Sequence, residues 1–287
     1  MFQARLENSR GDIITLTGKE ADYQILSITG LNPPSAQLNT STVSGMDGAM
    51  YNSGRLNTRN IVITAKINGN VEDNRQDLYR FCPTKEKVRF YFKNNNRDVY
   101  IDGYVDSVEC DLFTNDERMQ ISIICPNPYF MDTEDTQVDG SSITALFTFP
   151  FSIDLGSPIP FSQYVLDSTI DLYNDSDDQI GTIIDMDVND SVNQIQIVNT
   201  GNGQVFTLSY AFEDGDHITI NTIKGQKSVT LLRNGLYINI FSAMQRGSVF
   251  FQLSSGDNFF SYTVDGSTLN DANVDIMFTF FKMYRGV

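Results

Sequence analysis

The chain has one histidine, no tryptophan and three cysteines in 287 residues. A Ser-His-Asp or Cys-His catalytic arrangement would have to run through that single residue, His217. It lies in Gly215-Asp216-His217-Ile218-Thr219-Ile220, where alternation sends Ile218 and Ile220 to a core and leaves His217 on the outward face with Thr219. No Gly-x-Ser-x-Gly elbow occurs. No catalytic residue is assigned, and the chain reads as a non-enzyme. Cys82, Cys110 and Cys125 are odd in number and widely spaced, which gives neither a disulfide framework nor, with one histidine, a tetrahedral zinc set. They read as buried, reduced thiols. No phosphate-cradling loop is present, and no cofactor is assigned. Lack of tryptophan weakens a sugar-stacking groove and leaves tyrosine to substitute. No apolar run reaches the roughly 18 residues of a membrane span. The start, Met1-Phe2-Gln3-Ala4-Arg5-Leu6-Glu7, lacks the apolar core of a signal peptide.

Positive charge is scarce in one long stretch. From Met119 to Ile223 there is no lysine or arginine. The net charge of −16 divides as −3 over residues 1–133 and −13 over residues 134–287. Tight nucleic-acid binding needs several cations to replace phosphate counterions, so that class is disfavoured. An acidic surface suits either a wall that a polyanion passes without sticking or simple solubility. The aspartates Asp175, Asp177, Asp178, Asp185, Asp187 and Asp190 invite a calcium reading. An EF-hand loop counted from Asp175 needs glycine at its sixth place and glutamate at its twelfth, where Ile180 and Met186 stand. No metal ligand is assigned.

What is present is mainly strand signal. Asn60 to Ile67 alternates, with Ile61, Ile63, Ala65 and Ile67 on one side and Thr64 and Lys66 on the other. Asn70 is placed to cap a helix over Val71–Phe81, with Glu72 and Asp73 in its first turn and Val71, Leu78 and Phe81 on one face. Pro83 stops it. Strands follow at Val88–Phe92, Val99–Val105, Ser107–Phe113 and Met119–Cys125, where Pro126 and Pro128 end the sheet. A helix on an antiparallel sheet makes an α+β unit. Leu31 to Arg59 is polar, carries Pro33-Pro34 and Asp47-Gly48, and reads as a long loop-like arm that orders against a neighbouring subunit, with Leu38, Val43, Met46, Met50 and Tyr51 as sparse apolar anchors. Asp132 to Ser142 reads as a linker. Beyond it come about ten short strands with turns every 8–12 residues, including an Asn234-Gly235 hairpin, which argues a β-sandwich. Its strands are expected at Ala145–Ile153, Ile159–Phe161, Gln163–Leu166, Ile170–Tyr173, Gly181–Val188, Gln194–Val198, Gln204–Leu208, Asp216–Ile223, Ser228–Leu232, Leu236–Phe241, Val249–Leu253, Asn258–Val264 and Val274–Tyr284.

These residues resemble the siphovirus-type tail component family, the distal tail proteins of phages. The likeness begins with Asn32-Pro33-Pro34 and Asp47-Gly48, the Ile61–Ile67 strand, the helix with Arg75 and Leu78, and Ile101-Asp102-Gly103-Tyr104-Val105. It continues through Ile121–Cys125 into the Pro126-Asn127-Pro128-Tyr129-Phe130 exit. In the second half it rests on Asn199-Thr200-Gly201, Gly215 to Thr222, Leu253 to Asn258 and Phe278 to Tyr284. The resemblance implies a mainly β protein with a short helix: an N-terminal α+β, tail-tube-like, ring-forming domain over 1–133, then a C-terminal galectin-like β-sandwich over 134–287. It also implies a virion structural protein of the tail tip or baseplate, assembled in the bacterial cytoplasm as a homo-hexamer. Its partners would be the tail tube protein, the tail-tip hub or tail-associated protein, and peripheral or receptor-binding proteins. DNA would pass through the lumen without sequence-specific binding, and no membrane would be involved. The alternative is a carbohydrate-binding adhesin acting through the sandwich, with Tyr164, Tyr173, Tyr210 and Tyr262 as surface tyrosines.

Overall fold

A computed structural model describes residues 2–18, 22–112, 117–140, 142–145, 162–165, 169–266 and 273–287. They form two compact units: Met1–Thr133 with Met283–Val287, and Glu134–Lys282. The strand expected over Ala145–Ile153 falls, after Ala145, outside the described residues. So do Ile159-Pro160-Phe161, Leu166, Phe113 at the end of the strand expected over Ser107–Phe113, and, up to Asp116, the turn expected over Thr114–Glu117.

Unit 1 begins with β1 (Gln3–Asn8), β2 (Ile13–Thr15) and β3 (Tyr23–Thr29), then β4 (Ala36–Ser41) and β5 (Met50–Leu56). It continues with β6 (Arg59–Ile67), α1 (Val71–Phe81), β7 (Lys87–Lys93), β8 (Asp98–Cys110), β9 (Arg118–Cys125) and β10 (Phe130–Asp132). The main sheet is antiparallel, in the order β2-β1-β7-β8-β9-β6-β3. β6 obeys its period of two: Ile61, Ile63, Ala65 and Ile67 are buried while Val62, Thr64 and Lys66 are half-exposed. Each fully buried isoleucine contributes on the order of 2 kcal/mol. α1 places Leu78 and Phe81 into this core, with Val71 packed at its margin. Tyr23 fastens the helix by donating its hydroxyl to the Asn74 carbonyl at 2.7 Å. Asn70 occupies the N-cap, but its side chain makes no cap bond and donates to the Asp73 carboxylate instead.

Where two strands were expected over Val99–Val105 and Ser107–Phe113, there is one thirteen-residue strand, β8. It pairs with β7 along its first half and with β9 along its second, and a bulge lies between Val105 and Ser107. A bulge turns a strand without ending it, and that is why the alternation read as two strands. Gly103 stands at the corner because a Cβ there would lie 2.5 Å from the Ile123 side chain and 2.8 Å from the Cys125 sulfur.

Unit 2 opens with β11 (Thr136–Asp139), β12 (Ser142–Ala145), β13 (Ser162–Val165) and β14 (Ile170–Asn174), followed by β15 (Ile183–Val188), β16 (Val192–Asn199) and β17 (Gln204–Phe212). Then come β18 (His217–Asn221), β19 (Ser228–Arg233), β20 (Leu236–Asn239), β21 (Gly256–Val264) and β22 (Val274–Phe280). A six-stranded sheet, β11-β22-β15-β18-β19-β20, faces a four-stranded one, β14-β21-β16-β17. The rings of Phe260 on β21 and Phe278 on β22 lie 5.3 Å apart between them. The Tyr262 hydroxyl crosses the same interior to the Val274 carbonyl at 3.1 Å. Tyr262, expected on the surface, is therefore a core residue, because its buried hydroxyl finds a backbone acceptor. The meander β18-β19-β20 is as the turns indicate. Val249–Leu253 forms no strand. The Gln245 and Val249 amides instead donate to the Thr207 and Val205 carbonyls, so this segment covers the outer edge of β17.

Met283–Tyr284 does not extend β22. It forms β23 and pairs with β10, Tyr284 opposite Phe130 and Met283 opposite Met131. The last five residues thus leave the expected 134–287 domain for unit 1. Two arginines hold them there. Arg97 stacks on the Tyr284 ring at 3.9 Å and donates to the Gly286 carbonyl. Arg59, only 3% exposed, donates to the carbonyls of Pro128 at 2.8 Å and Asn32 at 2.7 Å, and also to those of Gly30 and Arg285, while stacking on Phe130 at 4.5 Å.

Cys82 and Cys125 are buried free thiols, each pushed up to about 12 by burial and so protonated. Cys110 differs from the expectation in being only half-buried. Replacing Arg59 by methionine orphans four carbonyls at once, and urea unfolding should show a loss of more than about 3 kcal/mol, with Arg59→Lys recovering only part. An unchanged midpoint in Arg59→Met would refute this bracing role.

Candidate assembly interface

The arm Leu31–Arg59 is not the loop its composition indicates. β4 and β5 pair as an isolated antiparallel hairpin, with a bulge between Asn39 and Thr40. Its base is closed by the Asn57 amide donating to the Ser35 carbonyl at 2.9 Å, and by Asn57 Nδ2 donating to Ser35 Oγ at 3.0 Å. Midway, the Arg55 guanidinium donates twice to Gln37 Oε1, at 3.1 and 2.8 Å. Tyr51 and Leu38 close over Gly54, where a Cβ would sit 2.9 Å from the Tyr51 hydroxyl. Every residue of β4 and all of β5 but Leu56 is exposed, with Leu38, Met46, Met50 and Tyr51 each more than half open to solvent. The Asp47-Gly48 dipeptide was the available hairpin signal. The flanking Asn, Ser and Thr hid it, since strand state here is set by pairing and not by burial. An isolated two-stranded hairpin is marginal in water. Among the described residues no third strand pairs with it, so it presents two backbone edges and the apolar side chains Leu38, Met50 and Tyr51.

A second ordered surface spans β1, β7 and β8. Arg5 stacks on Tyr91 at 4.4 Å, Tyr91 donates to Glu7 at 2.6 Å, and Arg89 stacks on Tyr100 at 4.2 Å. Arg89 also grips Asp102 through two hydrogen bonds, and Lys87 joins the same carboxylate at 3.0 Å. Burial pushes the Asp102 carboxyl up, but the Arg89 and Lys87 hydrogen bonds outweigh it and hold the group below its usual range. The adjoining cleft of about 280 Å³ is polar, lined by residues such as Gln3, Arg5, Thr15 and Tyr91. It is not the apolar concavity typical of a small-molecule site.

In unit 2 the structure gives His217 a partnership that the sequence did not reveal. It stands on the outer face of β18, half-exposed, with Nδ1 2.7 Å from Asp187 and Nε2 3.4 Å from Asp185. Asp187 lies opposite Asp275 on β22, and like charges across strands repel. His217 and Asn189, which donates to Asp275 at 2.9 Å, relieve that row. Thr219 is 3.4 Å from His217 Nε2, but its hydroxyl donates to Asp185 at 2.8 Å. The remaining aspartates of the calcium reading do not join them: among the described residues, no three His, Cys, Asp or Glu side chains converge on one point. Tyr173 is exposed on β14 and Tyr210 half-exposed on β17, at opposite edges of one sheet, so they share no groove. Tyr164 lies on β13.

Asp216, just before β18, is 2% exposed and accepts from Arg233 Nε at 2.7 Å, from Arg233 Nη2 and from the Glu213 amide at 2.9 Å. Arg233 also reaches the Ala211 carbonyl at 2.9 Å, so this staple fixes the end of β19 and the turn into β20.

Two family models match in order along the chain. Residues 17–125 match a phage tail protein RIFT-related domain, and residues 175–281 match the C-terminal domain of the siphovirus-type tail component. The chain matches no curated protein sequence. Among solved structures it is similar to the Dit (gp 19.1) protein of phage SPP1, at 13% identity and a TM-score of 0.69, over 98% of this chain and 99% of that one. It is also similar to a chain of the phage P2 baseplate in its activated conformation with Ca, at 12% identity and a TM-score of 0.51, over 97% and 98%. Fold and domain order define a structural component of a phage tail. The chain belongs to the siphovirus-type tail component family, the distal tail and baseplate proteins.

The Arg233 hydrogen bonds hold the Asp216 carboxyl below its usual range. A depressed folded-state value contributes stability above the unfolded value near 4 and loses it as pH falls through the folded value. Asp216→Asn should therefore cost about 2 kcal/mol at neutral pH, with the two proteins converging below about pH 4 in acid titrations of unfolding. A constant difference across that range would refute the assignment.

Proposed function

We propose that this chain forms a hexameric ring at the tail tip or baseplate. The ring joins the tail tube to the tail-tip hub and serves as a platform for peripheral or receptor-binding proteins. The observation that carries this reading is the β4–β5 hairpin, an ordered two-stranded element exposed on both faces with no third strand paired to it among the described residues. Such an element gains its remaining stability from a neighbour, and a ring of identical subunits supplies one to every copy. The fold likeness supports the setting, since SPP1 Dit is described as a paradigm of the hub adsorption apparatus in Gram-positive infecting phages. The role is one of shape and contact, assembled in the host cytoplasm and carried in the virion tail. DNA passes the ring without sequence-specific contacts. The adhesin alternative loses Tyr262 to the core and finds Tyr173 and Tyr210 separated.

Deletion of Gln37 to Asn57 should leave a cooperatively folding protein that sediments as a monomer where the intact chain sediments as a ring. Loss of cooperative folding would make the hairpin part of the unit 1 core. An intact chain that stays monomeric at high concentration, with no six-fold ring of it in particles, would overturn the proposal.

A further inference from the structure

The segment that returns from unit 2 comes to rest on the root of the hairpin. β3 closes at Thr29, and the chain leaves the main sheet through Gly30-Leu31-Asn32-Pro33-Pro34 before β4 begins at Ala36. Three successive carbonyls of this leg accept from donors elsewhere in unit 1. Arg59 takes those of Gly30 and Asn32, and the Val287 amide takes the one between them, on Leu31, at 3.2 Å. Leu31 and Val287 both pack at the margin of the unit 1 core. Gly286 lies against the same leg: a Cβ there would stand 3.0 Å from Pro33 Cδ, 3.2 Å from the Pro33 nitrogen and 3.3 Å from the Leu31 carbonyl oxygen. Its backbone is outside the left-handed region, so closeness and not conformation calls for glycine.

The leg passes on the direction in which it is gripped. Proline fixes its own φ and restricts the residue before it, so Asn32-Pro33-Pro34 is stiff. The hairpin base closes at the next residue, where Ser35 meets Asn57. β4 and β5 are exposed along almost their whole length, so their own burial does not set how they project. The returning segment is itself fixed. Tyr284 pairs with Phe130, Arg97 stacks on the Tyr284 ring at 3.9 Å and donates to the Gly286 carbonyl, and Arg59 donates to the Arg285 carbonyl. The Arg97 guanidinium makes no hydrogen bond to the hairpin leg among the described residues and acts on it through this segment.

The hairpin precedes unit 2 in the chain, and the residues that grip its root follow unit 2. We infer that residues 283–287 are a clasp that sets the direction of the β4–β5 hairpin and so readies it for ring assembly, with Arg97 and Gly286 as its positioning residues. A chain that has not yet returned from unit 2 has both hairpin strands. It holds the root through Arg59 without the Val287 bond, and Arg59 lacks its Arg285 acceptor. Its hairpin samples a range of directions and loses more entropy on meeting a neighbour. A closed ring repeats one contact around its axis and needs the same direction in every subunit. The clasp therefore keeps chains that lack it out of the ring. This rests on the ring reading and adds how its hairpin is regulated.

The test compares the full chain with Gly286→Leu, Gly286→Ala, Arg97→Ala and a chain ending at Lys282. Sedimentation over a concentration series reads ring formation. Spin labels on Ser53→Cys of β5 and Gln120→Cys of β9, both exposed positions, read the hairpin direction as the width of their distance distribution. The label variants carry Cys110→Ser, and the samples are diluted below the ring threshold. Gly286→Leu wedges the tail from Pro33 and should widen the distribution about twofold, with the urea midpoint little changed, and raise the concentration for ring formation about tenfold. Arg97→Ala and the chain ending at Lys282 should move both readings the same way. Gly286→Ala, which asks Pro33 to give by only a few tenths of an ångström, should lie between. If Gly286→Leu does not fold cooperatively, Arg97→Ala and Gly286→Ala make the same comparison. An unchanged distribution in the variants, or a widened one with ring formation at the wild-type concentration, would overturn the clasp. No ring from any form, the wild type included, would instead overturn the ring reading on which the clasp rests.

Discussion

One buried guanidinium determines how unit 1 holds together. Arg59 has no carboxylate partner among its hydrogen bonds; its donors go to four backbone carbonyls from three distant parts of the chain. Gly30 and Asn32 belong to the entry of the hairpin, Pro128 to the exit of the main sheet, and Arg285 to the returning C-terminus. Only arginine offers five donors in a fixed plane, and its weak hydration lowers the cost of burying the charge. Phe130 supplies its ring face as a further acceptor of that charge. Burial pushes the Arg59 group down from its ordinary value, yet an arginine remains charged throughout the physiological range. The residue is the first of β6, so the strand whose alternation organises the core is also the one that ties hairpin, sheet exit and C-terminus to it.

That arrangement explains how the protein can afford an exposed hairpin. β4 and β5 bury almost nothing, so their order comes from their base, where Asn57 meets Ser35 and Gly30 and Asn32 meet Arg59. A projecting element anchored at a rigid root loses less entropy on meeting a neighbour than a free loop would. Unit 2 handles its edges by another means. Residues 244–249 cover β17, while among the described residues no strand pairs with the outer edge of β20, and the turn before it is pinned by the Arg233–Asp216 ion pair. Open edges are an aggregation hazard that proteins ordinarily blunt. A hairpin with no third strand paired to it among the described residues, firmly anchored at its base, is consistent with a molecule built to be completed by others.

Local patterns were read correctly where they set local structure. The alternation of β6, the helix Val71–Phe81, the proline exit after Cys125 and the β18-β19-β20 meander all follow from short-range periodicity and turn chemistry. The errors came where a remote partner decides. Met283–Tyr284 looks like the end of β22, yet it pairs with Phe130 and Met131, far earlier in the chain. β8 looks like two strands because a bulge interrupts its alternation. Tyr262 looks like a surface residue by type, and its burial depends on an acceptor on another sheet. The candidate interface was half legible. Apolar residues were visible in the arm, but the hairpin was not, because its strands are paired with each other and not buried.

The lone histidine shows how composition and geometry answer different questions. Scarcity made His217 the one candidate for chemistry, and the structure then surrounded it with Asp185, Asp187 and Thr219, the residue types a catalytic reading would ask for. The details point the other way. The Thr219 hydroxyl is committed to Asp185, and the row lies on the outer face of a sheet, where water screens charge. Its register places Asp187 against Asp275, a repulsion that a sheet so rich in aspartate must offset strand by strand. A hydrogen-bonding imidazole one strand over does that without adding an exposed lysine, which would break the acid field of unit 2. On this account the acidity is a property of the whole unit.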